Sequence, residues 1–355
     1  MKIIAILCVR NEGAFLLDWL AHTLASGVTH VLAYSNDCDD GTDLMLDRLS
    51  EVAPVTHLRN PGPYDQGGIQ FTALKDAAKQ KLVKEADWIL PLDVDEFINV
   101  HVGNRPLPDL INALPDATAI TLTWRLFGNN GQARYHDQPV PHRFAKAAPK
   151  ILYWPWRASM FKTLYKNDST YGKPGVHRPR SPNDNKISQA RWFDGHGREL
   201  DALFQTKRIF STFGQDNYGL AQLNHYPLGD MESYVLKAYR GRAVHSDHLL
   251  GLDYWVERNF NVEEDQTIRQ LDPLVAKFRA EFAKDSQLEE LHDKSVAWRK
   301  ETFDKLMLEE PYRALFGRLL MTPPTQPLPL NAARFLSSYG NRARELALQN
   351  PDQKP

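Results

Sequence analysis

The residues best suited to chemistry in this chain are Asp93-Val94-Asp95-Glu96. Two carboxylates one residue apart offer oxygen ligands to a hard divalent cation, Mn²⁺ or Mg²⁺, and leave positions open for a substrate's phosphates. They follow the apolar run Trp88–Leu92, so they fall where a buried strand should end. Two more polar clusters follow earlier apolar runs: Arg10-Asn11-Glu12 and Ser35-Asn36-Asp37. In an open α/β sheet these ends share one edge, and ligands bind in the crevice there. Any one cluster is most simply loop polarity or helix capping, with Asn11 and Asp40 as caps. Three at one edge read as a site.

The elements that must position them alternate. The continuous apolar run Ile3–Val9 marks a strand covered on both faces. A helix over 14–26 follows, with Phe15, Leu16, Trp19, Leu20 and Leu24 on one face and Gly27 as its stop. Strands are expected at 31–34, 55–58, 88–92 and 119–126, and helices at 42–50 and 70–84. That alternation argues for a parallel, doubly wound α/β sheet. Residues 128–226 are irregular, with short strands expected at 151–153, 159–163 and 208–212. Beyond residue 230 the pattern is helical, over 231–241, 249–259, 265–284, 288–308, 312–320 and 331–347. The expected division is a domain over 1–230 and a helical extension over 231–355.

Composition sets wider bounds. Of 355 residues, 42% are hydrophobic and 25% charged, which fits a packed globular chain and excludes a disordered one. A formal net charge of −1 gives no bulk attraction to nucleic acid or to an anionic membrane, so any basic cluster must act locally. Cys8 and Cys38 are the only cysteines, so no disulfide framework is expected and a reducing compartment fits. The run at 3–9 is too short for a signal segment, and no stretch approaches the ~20 apolar residues of a membrane span. The expected location is the cytoplasm, with the inner face of a membrane and a peripheral contact there left open.

Two nucleotide-binding designs are excluded. A dinucleotide fold needs G-x-G-x-x-G after the first strand, where this chain has Arg10-Asn11-Glu12-Gly13. A P-loop, G-x-x-x-x-G-K-[ST], is absent. A diphosphate bridged by metal is the alternative that uses the carboxylates present.

Taken in order, the motifs resemble a family 2-type glycosyltransferase, in the subgroup near glycosyltransferase family 92. The matching pieces are Arg10-Asn11-Glu12 with Trp19 and His22, Gly27-Val28-Thr29-His30, Asn36 through Asp40-Gly41-Thr42, and Asp93 through Phe97. Further pieces are Trp124 with Phe127 through Gly131, Val176-His177-Arg178-Pro179, and Asn224-His225-Tyr226 followed by Lys237 and Arg240-Gly241. The resemblance implies a type A glycosyltransferase domain, Rossmann-like and mostly parallel, binding a nucleoside-diphosphate sugar, a UDP-sugar first. Arg10, Asn11, Glu12, Asn36, Asp37 and Asp93 would meet the nucleotide. Asp95 would bind the metal, assisted by Asp93, with His225 and then His177 as the returning imidazole ligand. One departure is Ser35, where the related families often carry an aspartate that contacts the nucleotide.

The implied reaction is hexosyl transfer to a saccharide or glycolipid acceptor, inverting, in surface polysaccharide synthesis. Inversion needs a general base, and the candidates are Asp194, Glu199, Asp201 and Asp216, with Asp194 first and Asp201 retained beside it. Trp154-Pro155-Trp156 is the expected acceptor platform, with Asn129 and Asn130 as hydroxyl partners. Trp124 is expected in the core. Lys237, Arg240 and Arg242 are spaced to meet one anion on a helix. The C-terminal helices offer a lid or a homo-oligomer interface. The competing readings are a non-catalytic nucleotide-sugar-binding scaffold and a metal-dependent phosphohydrolase. The latter usually carries its acidic pair after the first strand.

Overall fold

The computed structural model describes residues 1–64, 67–241 and 250–349. The first half runs β1 (Ile3–Val9), α1 (Gly13–Ala25), β2 (His30–Ser35), α2 (Thr42–Val52), β3 (Val55–Arg59), α3 (Ile69–Ala77), α4 (Lys81–Lys84) and β4 (Trp88–Leu92). After it come β5 (Glu96–Val100), α5 (Leu107–Ala113), β6 (Ala119–Leu126), α6 (Val140–Arg143), β7 (Lys146–Ala147) and β8 (Phe161–Lys166). The hairpin β9 (Tyr171–Lys173) and β10 (Arg180–Pro182) precedes β11 (Trp192–Asp194), α7 (Ala202–Thr206) and β12 (Ala221–His225). The remainder is α8 (Met231–Arg240), α9 (Leu252–Val256), β13 (Glu263–Glu264), α10 (Asp272–Phe282), α11 (Ser286–Met307), α12 (Glu310–Met321) and α13 (Leu330–Gln349).

The main sheet has the order β3-β2-β1-β4-β8-β6-β12-β5, with β11 beside β6. Strands β3, β2, β1 and β4 are parallel, as the alternating pattern requires. The sheet is otherwise mixed: β8 runs antiparallel to both β4 and β6, and β5 antiparallel to β12. The expected mostly parallel sheet thus consists of a parallel half joined to a mixed half. The joining strand β8 comes from the irregular region, and β12 forms where no strand is expected. The expected helix at 70–84 divides into α3 and α4, and no strand forms at 151–153.

The period of two along β1 explains its cover. Ile3, Ala5, Leu7 and Val9 pack with Leu16, Leu17, Trp19 and Leu20 of α1. Ile4 and Ile6 point to the other face and meet Ala73, Leu74 and Ala77 of α3. The C-terminal helices belong to the same core, since Phe282 of α10 and Leu288 and Leu291 of α11 join the α1 side. Arg279 of α10 pairs with Asp18 of α1 at 3.1 Å. Ser295 of α11 donates to the Asp40 carbonyl at 2.7 Å. A Cβ on Gly13 would lie 2.3 Å from that Ser295 Oγ, so only glycine lets α11 sit here.

Candidate functional site

The carboxyl ends of β1, β2 and β4 open into one cleft of about 260 Å³. Arg10, Glu12, Asn36, Asp93 and Asp95 line it from the strand ends, and His177, His225, Lys237, Arg240 and Tyr254 close it from downstream. The backbone is strained here: Asn11 and Asp37 hold φ at 51° and 47°, a left-handed conformation costly for residues with a Cβ. The strain is held by Asp40, which accepts from the Gly13 and Thr42 amides at 2.9 Å each and so ties the starts of α1 and α2 together.

Asp95 is the centre of the charge arrangement. Its Oδ2 accepts from Lys237 Nζ at 2.9 Å, and its Oδ1 lies 3.6 Å from His225 Nε2. Burial would raise the Asp95 carboxyl, but Lys237 and His225 outweigh it and hold it well below the usual carboxylate range. His225 lies against Trp124 with ring centroids 4.2 Å apart, and among the described residues its buried Nδ1 has no hydrogen-bond partner. Burial pushes the His225 pKa down against the pull of Asp95. His177 donates through Nδ1 to the Phe161 carbonyl at 3.0 Å, if the ring takes the tautomer that leaves Nε2 as acceptor. Burial, with Lys162 nearby, lowers its pKa to about 4.

Asp93 has partners of its own. Lys162 Nζ donates to its Oδ2 at 2.9 Å and Gln70 Nε2 to its Oδ1 at 3.0 Å. Lys162, from β8, is fully buried beneath the cleft and also stands 3.5 Å from Glu96. Glu96 accepts from Trp124 Nε1 at 2.6 Å and from the Asp93 amide at 2.9 Å. Its burial raises the carboxyl pKa, with Lys162 opposing. Opposite, Arg240 pairs with Glu12 and donates to the Arg10 carbonyl at 2.8 Å. The α8 helix thus locks onto the end of β1, and the expected boundary at 230 cuts through the site. Arg242 lies outside the described residues.

Several expected residues are placed elsewhere. The Asn11 amide is spent on Asp39, accepting its backbone N–H at 2.7 Å, and Asp37 is exposed and accepts from Tyr64. Asp37 does not line the cleft, whereas Asn11 lines an adjoining cavity that shares Glu12, Asp95, Lys237 and Arg240 with it. Asp194 is buried and accepts from the His196 and Arg198 amides and the Arg198 side chain, so it builds a turn. Asp201 caps α7 by accepting from the Leu203 amide at 2.8 Å. Glu199 is paired with Arg191, and Asp216 accepts from the Tyr218 amide. Each carboxylate expected as a base thus has a structural task. Asn129 braces its own loop through the Gln132 carbonyl, and Asn130 ties that loop to Arg143 and Lys146. Trp154 and Trp156 line a different groove, against α13. Trp124, expected in the core, is buried and yet forms the cleft wall. Lys162 and Gln70 escaped sequence reading, because neither lies in a motif.

The donor set suits a divalent cation in part. The Asp95 and His225 atoms face one another at near ligand–ligand separation, and Trp124 holds the imidazole in that orientation. Among the described residues, no three His, Cys, Asp or Glu side chains converge as a ligand set. A cation here would complete its shell with phosphate oxygens and water, as Mg²⁺ commonly does.

The fold and site define an α/β domain with a charged crevice at the carboxyl edge of its parallel strands. Over 137 residues, 37% of this chain, it is 26% identical to a glycosyltransferase family 92 protein of Oryza sativa subsp. japonica. The resemblance seen in the motifs thus recurs in a sequence match, although the chain spans only 22% of that relative's length. No family model matches the chain. Among solved structures it is similar to S. aureus TarS 1–349 in complex with UDP-GlcNAc, at 16% identity, 78% and 71% coverage of the two chains and a TM-score of 0.35. It is also similar to HddC from Yersinia pseudotuberculosis, at 12% identity, 50% and 84% coverage and a TM-score of 0.29.

Proposed function

We propose that the chain is a glycosyltransferase that moves a sugar from a nucleoside-diphosphate donor to an acceptor hydroxyl. The observation that carries this reading is the meeting of Asp95, His225 and Lys237 in the cleft at the ends of β1, β2 and β4. The similarity to a family 92 protein supports it. Asn36 and Arg10 stand where a nucleoside enters such a crevice, and Lys237, Arg240 and Arg10 bring cationic donors to its diphosphate. Lys237 and Arg240 are held by Asp95 and Glu12 before the donor arrives, so they stabilise the charge that grows on the departing diphosphate without reorganising. Asp95 and His225 would hold a divalent ion, which supplies further positive charge to the same phosphates. Trp124 fixes the His225 ring, and Lys162 neutralises Asp93 and Glu96 from beneath.

The test is thermal shift of the full chain with UDP-, GDP-, CMP- and TDP-linked sugars, each with and without Mn²⁺. Ligand at a hundredfold its dissociation constant stabilises by about 2.7 kcal/mol. One nucleotide giving a metal-dependent shift, lost in Asp95→Asn, supports the reading. No shift with any nucleotide on the folded protein would return the weight to a scaffold.

A further inference from the structure

Helix α13 carries its apolar stripe on the outside. Phe335, Leu336, Tyr339, Ala343 and Leu346 recur at helical spacing and form one face. Such a stripe normally turns to the core. Here Phe335 is 62% exposed, Tyr339 58% and Leu346 50%. The helix seats by other residues: Ala333 is fully buried, and Arg334, Ser337, Ser338 and Asn341 line a groove with Tyr153, Trp154, Trp156 and Phe213. The approach to α13 is anchored, because Thr325 donates its amide to the Asn259 carbonyl at 2.9 Å.

We propose that this face is a docking surface for an anionic lipid bilayer, with α13 lying flat in the interface. Its charge is complementary to one. Residues 330–349 hold three arginines against one glutamate, in a chain whose formal net charge is −1. Arg342 precedes Ala343 and stands at the edge of the stripe, while Arg334 lies on the groove side of the helix. Phe335 and Tyr339 make an edge-to-face pair 5.2 Å apart, a compact aromatic body suited to the boundary between headgroups and acyl chains. At 1.5 Å per residue the helix presents about 30 Å of such surface. It is not apolar enough to cross a membrane. A second copy of the same face is the weaker occupant, since it offers the arginines no acid beyond Glu345. This inference stands apart from the reaction in the cleft.

The experiment is sedimentation of the full chain with phosphatidylcholine vesicles, with and without phosphatidylglycerol, alongside light scattering of the protein alone. Binding to the anionic vesicles that weakens with salt is expected. Phe335→Ser with Tyr339→Ser should lower the partition coefficient by about tenfold, and Arg342→Glu should lower it on anionic vesicles only. These side chains are exposed, so unchanged melting curves should accompany both variants. Absence of binding to anionic vesicles, or binding that the variants leave unchanged, overturns the proposal. A dimer without lipid binding that Phe335→Ser dissociates overturns it too, and gives the face to a second copy.

Discussion

Lys237 Nζ stands 2.9 Å from Asp95 Oδ2, closing a contact across 142 residues of sequence. The pair ties α8 to the turn after β4 and puts a cation and an anion at one point of the cleft. Lys237→Met removes both the cation and the partner that holds Asp95 ionised. Donor affinity by calorimetry should fall at least about tenfold, or ~1.4 kcal/mol, and Lys237→Arg should restore part of it. Equal affinity in Lys237→Met would remove Lys237 from the donor site.

His225→Phe keeps the stack on Trp124 but removes the nitrogen facing Asp95. Activation by Mn²⁺ should suffer more than activation by Mg²⁺, since imidazole is the better ligand for the former. Metal titrations of turnover, read as the ratio of the two activation constants, check this. An unchanged ratio would place His225 in a packing role.

Lys162 is buried between two carboxylates, so its loss leaves Asp93 and Glu96 without their common counter-charge. Lys162→Met should destabilise the fold by roughly 3–5 kcal/mol, the range for breaking a buried pair. Adding Glu96→Gln should recover part of that loss. Denaturant unfolding of both variants measures the coupling.

His22 supplies a pH dependence away from the cleft. Burial lowers its pKa from 6.5 to about 4, against a raising contribution from the Ile98 carbonyl, which it meets at 2.7 Å. The unfolded chain therefore takes up this proton near pH 6.5, before the folded chain does. The stability that His22 contributes is fully present above that pH and is lost as pH falls toward 4, by at most about 3 kcal/mol. His22→Gln should flatten melting temperature against pH over that window.

Asp201→Ala tests the reassignment of an expected base. Loss of an N-cap should cost about 1 kcal/mol, with turnover unchanged. A large fall in kcat at unchanged stability would restore a catalytic role.

The sequence by itself determined the parallel half of the sheet and the edge where the site lies. Both are local: continuous apolar runs bury β1 and β4, helical periodicity sets α1, and a strand's end is visible where its apolar run stops. Hence Arg10, Glu12, Asn36, Asp93 and Asp95 could be placed together from their neighbours in the chain. Tertiary structure alone decided their partners. Lys162 reaches Asp93 because β8 inserts antiparallel between β4 and β6, and no local pattern in an irregular segment encodes that pairing. The strand β12 delivers His225 in the same way, by pairing with β5 and β6. The carboxylates Asp194 and Asp201 look like free acids in sequence; only the fold shows the amides that they satisfy. The orientation of α13 has the same character. Its stripe reads identically whether it faces core or solvent, and the direction is set by which face the remainder of the chain leaves to be covered.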